Sequence, residues 1–278
     1  MSDLENVIKI ISSENNSFDA GVFSLIGTRE YQQDYAGLMV KENGISGIIC
    51  DGMGGLNGGE RASSEAVKLF AFDYMKMEGG SPVSEFFYQE ADKMDRLVSL
   101  LKDSKGNFLR AGSTVVSVII EESRLHWMSV GDSRIYILRG DSILQVTKEH
   151  NYKFQLNEAL ESGNISAEKY AAEMSGGQAE ALTSYLGMGG LKYIDINPNP
   201  FQLEADDVIL LCSDGLYRSL DESQIMAMLK DNKINSGVSA KRLSCMALEQ
   251  ASKGQDNTTV LVIHYKGGEE RRENSALL

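Results

Sequence analysis

What this chain of 278 residues lacks narrows its possible roles before any motif is read. It has only three prolines, no internal repeat and no low-complexity tract, so nothing marks a linker and one domain is expected. No uncharged apolar run reaches the roughly 18 residues that a membrane-spanning helix needs, and no membrane partner is expected. The opening MSDLENVIKIISSENNS carries acidic residues where a leader peptide carries basic ones, which points to the cytoplasm. Cys50, Cys212 and Cys245 stand singly in apolar stretches without metal-ligand pairing, so buried free thiols in a reducing compartment are expected. Basic residues are scarce as well: 27 stand against 40 acidic ones, a net charge of −13. That is the wrong sign for gripping a nucleic-acid backbone. No G-x-S-x-G elbow occurs, and neither Cys50 nor Cys212 has an evident activating partner, so covalent catalysis has little support. His126 and His264 fall on strand-like stretches and read as ordinary sheet residues, while His150 opens a polar segment.

What is present is a blockwise order of elements. Strand-like stretches over 18–27 and 36–40 lead into ISGIICD, and Asn43-Gly44 between the apolar runs predicts a hairpin. Ala62, Ala66, Leu69 and Phe70 recur at helical spacing. So do Phe87, Ala91, Met94, Val98 and Leu101, after Ser81-Pro82. The run STVVSVIIEESRLHWMSVGDSRIYILRGDSILQV reads as a meander of four short strands. Residues 148–190 are polar and irregular, with short helices expected. DDVILLCSDGLY is a further strand, helices follow around 221–230 and 239–252, and GQDNTTVLVIHY closes the chain with a strand. Strands and helices in blocks, rather than in alternation, predict an α+β fold with antiparallel sheets. Residues 1–17 read as an extension and 267–278 as a frayed tail.

Aspartates sit repeatedly at the mouths of these strands. Asp51 and Asp214 follow apolar runs and precede glycine, Asp132 lies between two strands, Asp256 just precedes one, and Asp34 lies in the turn after the first. Aspartate is a common turn residue, which explains any one of them, but not why they cap the most apolar strands. Several carboxylates at one sheet edge repel and raise one another's pKa values, a cost that divalent cations remove. All-oxygen donors select hard ions such as Mg²⁺, Mn²⁺ or Ca²⁺, and no EF-hand spacing is present to favour Ca²⁺. The glycines of GMGGLNGGERAS do not form a phosphate-binding P-loop, because Glu60-Arg61 stands where Lys-Ser/Thr is needed.

Seven stretches in order carry a resemblance: TREYQQD (28–34), IICDGMGG (48–55), GSTVV (112–116), SVGDSRIY (129–136), LTSYLGMG (182–189), LLCSDGLY (210–217) and GQDNTTVLVI (254–263). Together they resemble the motifs of the metal-dependent type-2C serine/threonine protein phosphatases (the PPM family), in their bacterial branch. The resemblance implies a four-layer αββα sandwich, two antiparallel sheets flanked by helix pairs, over residues 18–266, with a variable flap at about 148–182. It implies two Mg²⁺ or Mn²⁺ ions, with a third, weaker ion in bacterial members. By the same resemblance Asp51 bridges the pair and the Gly52 carbonyl adds a ligand. Asp214 and Asp256 complete the first ion's surroundings, and Asp34 lies beside the pair. Asp132 would join Asp214 on the third ion, and Arg29 would bind the substrate phosphate. Asp51, Asp214, Asp256 and Arg29 are thus the implied catalytic set. The implied reaction is hydrolysis of phosphoserine and phosphothreonine in proteins by metal-activated water, without a phosphoenzyme. The implied setting is a cytoplasmic monomer that opposes a Ser/Thr kinase. Gln32 departs from the bacterial pattern, which has asparagine there, and Met53 stands where many eukaryotic members have histidine. A scaffold or sensor that keeps the fold without turnover is the alternative, and a hydrolase of small phosphate esters a weaker one.

Overall fold

Strands apolar on both faces are stable only between two other layers, and several stretches of this chain are of that kind. The computed structural model describes residues 11–14, 17–42, 44–55, 58–230, 235–251 and 254–267. One antiparallel sheet runs β1 (Ile11–Glu14), β2 (Phe18–Leu25), β13 (Thr258–Tyr265), β12 (Val208–Cys212), β8 (Arg134–Arg139), β9 (Ser142–Gln145). The other runs β10 (Asp195–Ile196), β7 (Arg124–Val130), β6 (Val115–Glu121), β4 (Gly44–Gly54), β3 (Asp34–Lys41). Short β11 (Phe201–Gln202) adds to β7, and β5 (Ala111–Ser113) adds to β4.

The period of two along each strand sorts its residues into layers. Ile45, Ile49, Val116, Val118, Ile209, Leu211, Leu261 and Ile263 pack between the sheets. Their neighbours Ile48, Cys50, Val115 and Ile119 turn outward onto α1 (Gly58–Lys76) and α2 (Val83–Ser99). On the opposite side Val208, Leu210, Cys212, Val260 and Val262 meet α6 (Glu222–Leu229) and α7 (Ser236–Gln250). The four-layer sandwich expected from the sequence is the architecture that forms. The helical stripes hold as well: Phe87, Ala91, Met94 and Val98 are fully buried along α2, with Leu101 buried just past its end. The flap segment contains α3 (Tyr152–Glu161) and α4 (Ala167–Ser175), capped by Asn151 and Ser166. A single turn, α5 (Asp214–Tyr217), follows β12.

Four expectations need correction. The supposed meander is two hairpins in different sheets, because β7 and β8 do not pair: the chain crosses from one sheet to the other through Gly131-Asp132-Ser133. Gly131 makes the crossing possible, with φ at 105° and a position where a Cβ would lie 2.7 Å from the Thr114 side chain. Alternation along a strand shows its faces but not its sheet. Residues 11–14, read as part of an extension, form β1 on the sheet edge. Cys245 is half-buried rather than buried, unlike Cys50 and Cys212. Asp34 is not in a turn; it opens β3. In the predicted hairpin, β3 and β4 do pair, with Lys41 opposite Gly44, while Asn43 lies outside the described residues.

Helix α7 approaches its sheet so closely that a Cβ on Gly21 would lie 2.3 Å from the Gly237 Cα. Backbone there cannot yield as a flexible side chain would. Gly21→Ala is expected to lose about 1–3 kcal/mol through overpacking, read as a lower denaturation midpoint in urea with an unchanged slope. An unaltered midpoint would contradict the close packing of α7.

Candidate active site

The layer between the sheets changes character at one edge. Along β4, Ile45 and Ile49 face this layer, so by parity Asp51 faces it too. Along β3, Ala36 packs against the same layer, and Asp34 shares its face. Asp34 and Asp51 are direct cross-strand partners. Like charges in such a pair repel, and here both carboxylates border a core of Ile, Leu and Val. Hydroxyls intervene between the core and the acids. Ser213, one step past β12, donates its Oγ–H to Asp34 Oδ2 at 2.7 Å. Ser213 Oγ also accepts the Thr259 N–H at 2.9 Å, and Thr259 Oγ1 lies 2.7 Å from Ser24 Oγ.

The backbone of Asp51 is fixed from the neighbouring strands. Its N–H donates to Thr114 Oγ1, and its carbonyl accepts from the Thr114 N–H and the Ser113 hydroxyl. Strand β4 therefore does not end at Asp51, as the sequence suggested, but continues to Gly54 beside β5. Gly52 has a reason of its own: a Cβ there would lie 2.1 Å from the Gly59 carbonyl oxygen, at the start of α1. The space beside it is filled by that helix. Gln32 spans Ser24 Oγ with its amide N–H and the Asp34 N–H with its carbonyl oxygen, so it supports the first aspartate despite replacing an asparagine.

Loops bring the remaining residues to the same edge. Asp214 opens α5, Asp132 sits in the crossover, and Asp256 lies in the turn before β13. That turn is braced by Asn257, whose Oδ1 accepts the Gln33 N–H and whose amide donates to the Ile26 and Tyr31 carbonyls. Arg29 donates to Asp256 at 2.5 Å, and Arg218 donates from Nε to Asp214 at 2.9 Å. The two arginines line an open groove of about 500 Å³ that also touches Thr28, Gly215, Gln255 and Asp256. Ser24, Ser113, Thr114, Ser213 and Arg218 are participants that sequence reasoning did not single out. Their one signal was polar residues at the ends of apolar strands, which is too common to stand out.

Electrostatics agree with the crowding. Burial pushes the Asp34 carboxyl up to about 7, against the Ser213 and Thr259 hydrogen bonds, with Asp214 and Asp256 adding to the rise. Burial, then the Asp34, Asp214, Asp132 and Asp256 charges, raises Asp51 well above the usual carboxylate range. Asp132 is pushed up to about 6, and Asp214 is raised, both chiefly by burial. As the side chains stand, no three carboxylates, imidazoles or thiols among the described residues close on one point. Asp34 Oδ1 is nevertheless buried without a hydrogen-bond partner, an acceptor left for a cation. The donor set is oxygen throughout and suits Mg²⁺ or Mn²⁺. Both buried thiols are excluded as nucleophiles: burial pushes Cys212 up to about 12 and Cys50 higher still.

Comparison with known proteins agrees with this arrangement. The family profile of protein phosphatase 2C matches residues 24–244. The chain belongs to the protein phosphatase 2C family. Among curated relatives, serine/threonine phosphatase stp of Listeria welshimeri is 28% identical over 251 residues, covering 89% of this chain and 95% of that protein. A Streptococcus agalactiae serine/threonine phosphatase structure superposes with a TM-score of 0.75 at 25% identity, over 89% of this chain and 99% of that one. The catalytic domain of serine/threonine protein phosphatase PstP, solved with two manganese ions, has the same fold. It gives a TM-score of 0.68 at 23% identity, over 89% of this chain and 98% of that one. No helix among the described residues of this family member is long and apolar enough to cross a membrane.

A pH dependence of stability follows for this phosphatase-family chain. The native pKa of Asp34 lies above its unfolded value of 3.8, so the native state keeps a proton that the unfolded chain has lost. The carboxyl therefore lowers stability progressively as pH rises from about 4 through about 7. In EDTA, the thermal midpoint should fall between pH 5 and pH 8 more steeply in the wild type than in Asp34→Asn, and millimolar Mn²⁺ at pH 8 should restore it. Parallel profiles for the two proteins would contradict the raised carboxyl.

Proposed function

We propose that this protein hydrolyses phosphoserine and phosphothreonine in proteins at a site holding two divalent cations, Mg²⁺ or Mn²⁺. The observation that carries the reading is the cross-strand pair Asp34–Asp51 at the edge of the inter-sheet layer, joined there by Asp214 and Asp256. Carboxylates gathered so closely at the border of an apolar layer are a poor arrangement unless cations share them. The names of the curated relatives and the two manganese ions of the PstP catalytic domain support the same choice.

In this reading Asp51, the Gly52 carbonyl, Asp214 and Asp256 would hold the cations, and Asp34 would support them from β3. The bound ions would supply a nucleophile from water at neutral pH and positive charge for the transferring phosphoryl oxygens. Arg29, held over Asp256 at the rim of the groove, offers a planar guanidinium fork to the incoming phosphate. Ser113 and Thr114 fix the Asp51 backbone, so its carboxylate is aimed before substrate arrives. Burial raises both thiols, which leaves neither Cys50 nor Cys212 suited to act as nucleophile. The substrates fit the products of a Ser/Thr kinase in the cytoplasm, met by a monomer.

The test is phosphate release from phosphothreonine and phosphoserine peptides at millimolar Mn²⁺, beside phosphotyrosine peptides and free phosphosugars. Turnover should need the metal and favour the phosphothreonine and phosphoserine peptides. Asp51→Asn and Asp214→Asn should each lower kcat by about 10²–10³ or more, the scale of losing one charge-stabilising group. Arg29→Ala should raise KM as well as lower kcat. Absence of turnover with Mn²⁺ would favour a scaffold, and a preference for phosphosugars would favour a small-ester hydrolase.

A further inference from the structure

One carboxylate of the group has a partner already. Arg218 stands four residues after Asp214, just past the single turn of α5, and its Nε meets Asp214 Oδ2 at 2.9 Å. Its Nη2 lies 3.7 Å from Asp132 Oδ2. A guanidinium carries several N–H donors in a fixed fork and keeps its charge at any working pH. Here the fork reaches toward both carboxylates at once.

The backbone at Asp132 is braced. Its carbonyl accepts the Tyr217 hydroxyl at 3.1 Å, and the Arg134 guanidinium stacks 3.5 Å from the Tyr217 ring centre. Arg134 in turn donates to Glu149, which accepts from Asn151, the N-cap of α3. The preceding Gly131 is held by His150, whose N–H donates to the Gly131 carbonyl and whose Nδ1 accepts the Gly131 N–H. The crossover is thus held on both sides, which keeps Asp132 a few ångströms from the Arg218 fork.

We propose that Arg218 is the resident counter-ion of the Asp132–Asp214 pair, and that it takes the place of a third divalent cation. The inference rests on the two-cation reading of the site and sets its stoichiometry. Asp214 commits Oδ2 to Arg218 and leaves Oδ1 for the cations beside Asp51. Arg29 differs in kind. It pairs with one carboxylate and comes from a separate loop, so it can turn to a phosphate. Arg218 is tied to Asp214 by its position in the chain. The expected role of Asp132 as ligand of a third ion is thereby replaced by an ion pair.

Mn²⁺ binding by equilibrium dialysis of the full chain tests this, with folding of each variant verified by its thermal midpoint in EDTA. The wild type should hold two ions per chain at millimolar Mn²⁺. Arg218→Ala should hold three, and adding Asp132→Asn to it should return the number to two. Arg218→Met keeps most of the side chain without the charge and serves the same comparison should the alanine variant fail to fold. Three ions on the wild type, or two on both Arg218 variants, would overturn the proposal and leave the two-cation reading standing. No bound ion on the wild type would overturn both.

Discussion

Repulsion between carboxylates held at the edge of an apolar layer is the constraint on which the rest of this structure turns. Asp34 and Asp51 face one another across adjacent strands, where the layer on their side is built from isoleucine, valine and leucine. Burial and like charge both oppose ionisation there. Each neighbouring feature acts on that cost. Ser213 and Gln32 satisfy groups of Asp34, Ser113 and Thr114 hold the Asp51 backbone, and Arg29 and Arg218 bring positive charge to Asp256 and Asp214. A sandwich of two sheets makes such a group possible, because its core fixes the strand ends while its edge stays open to water and ligand.

Close backbone packing sets the positions. Gly52 lies against the first turn of α1, Gly131 against Thr114, and Gly215 so near the Asn257 carbonyl that a Cβ would lie 2.2 Å away. The backbone beside three of the aspartates is therefore pressed against neighbouring elements. The glycines next to Asp51, Asp132 and Asp214 serve packing first, and the site gains its geometry from that packing. The likeness of the sandwich to the Streptococcus agalactiae phosphatase extends over most of both chains, so this frame belongs to the whole domain rather than to the site alone.

Much of this was legible in the sequence because apolar strands and their terminal aspartates are local features. The two hydrophobic helices, the block order and the five aspartates could be read from spacing. The cross-strand pairing of Asp34 with Asp51 could not, since register depends on which strands meet. The separation of β7 from β8 was hidden for the same reason: both strands are apolar, and period-two patterning is the same in either sheet. Arg218 was not singled out in the sequence, and only the folded chain brings Asp132 to it. The close approach of α1 to Gly52 was hidden too, since it joins residues that only the fold brings together.

Anomalous diffraction at the manganese edge, from crystals grown with Mn²⁺, measures the central claim most directly. Two peaks should appear at the edge between the sheets, both in contact with the Asp51 carboxylate, with Arg218 still between Asp132 and Asp214. Peaks elsewhere, or none in contact with Asp51, would contradict the account.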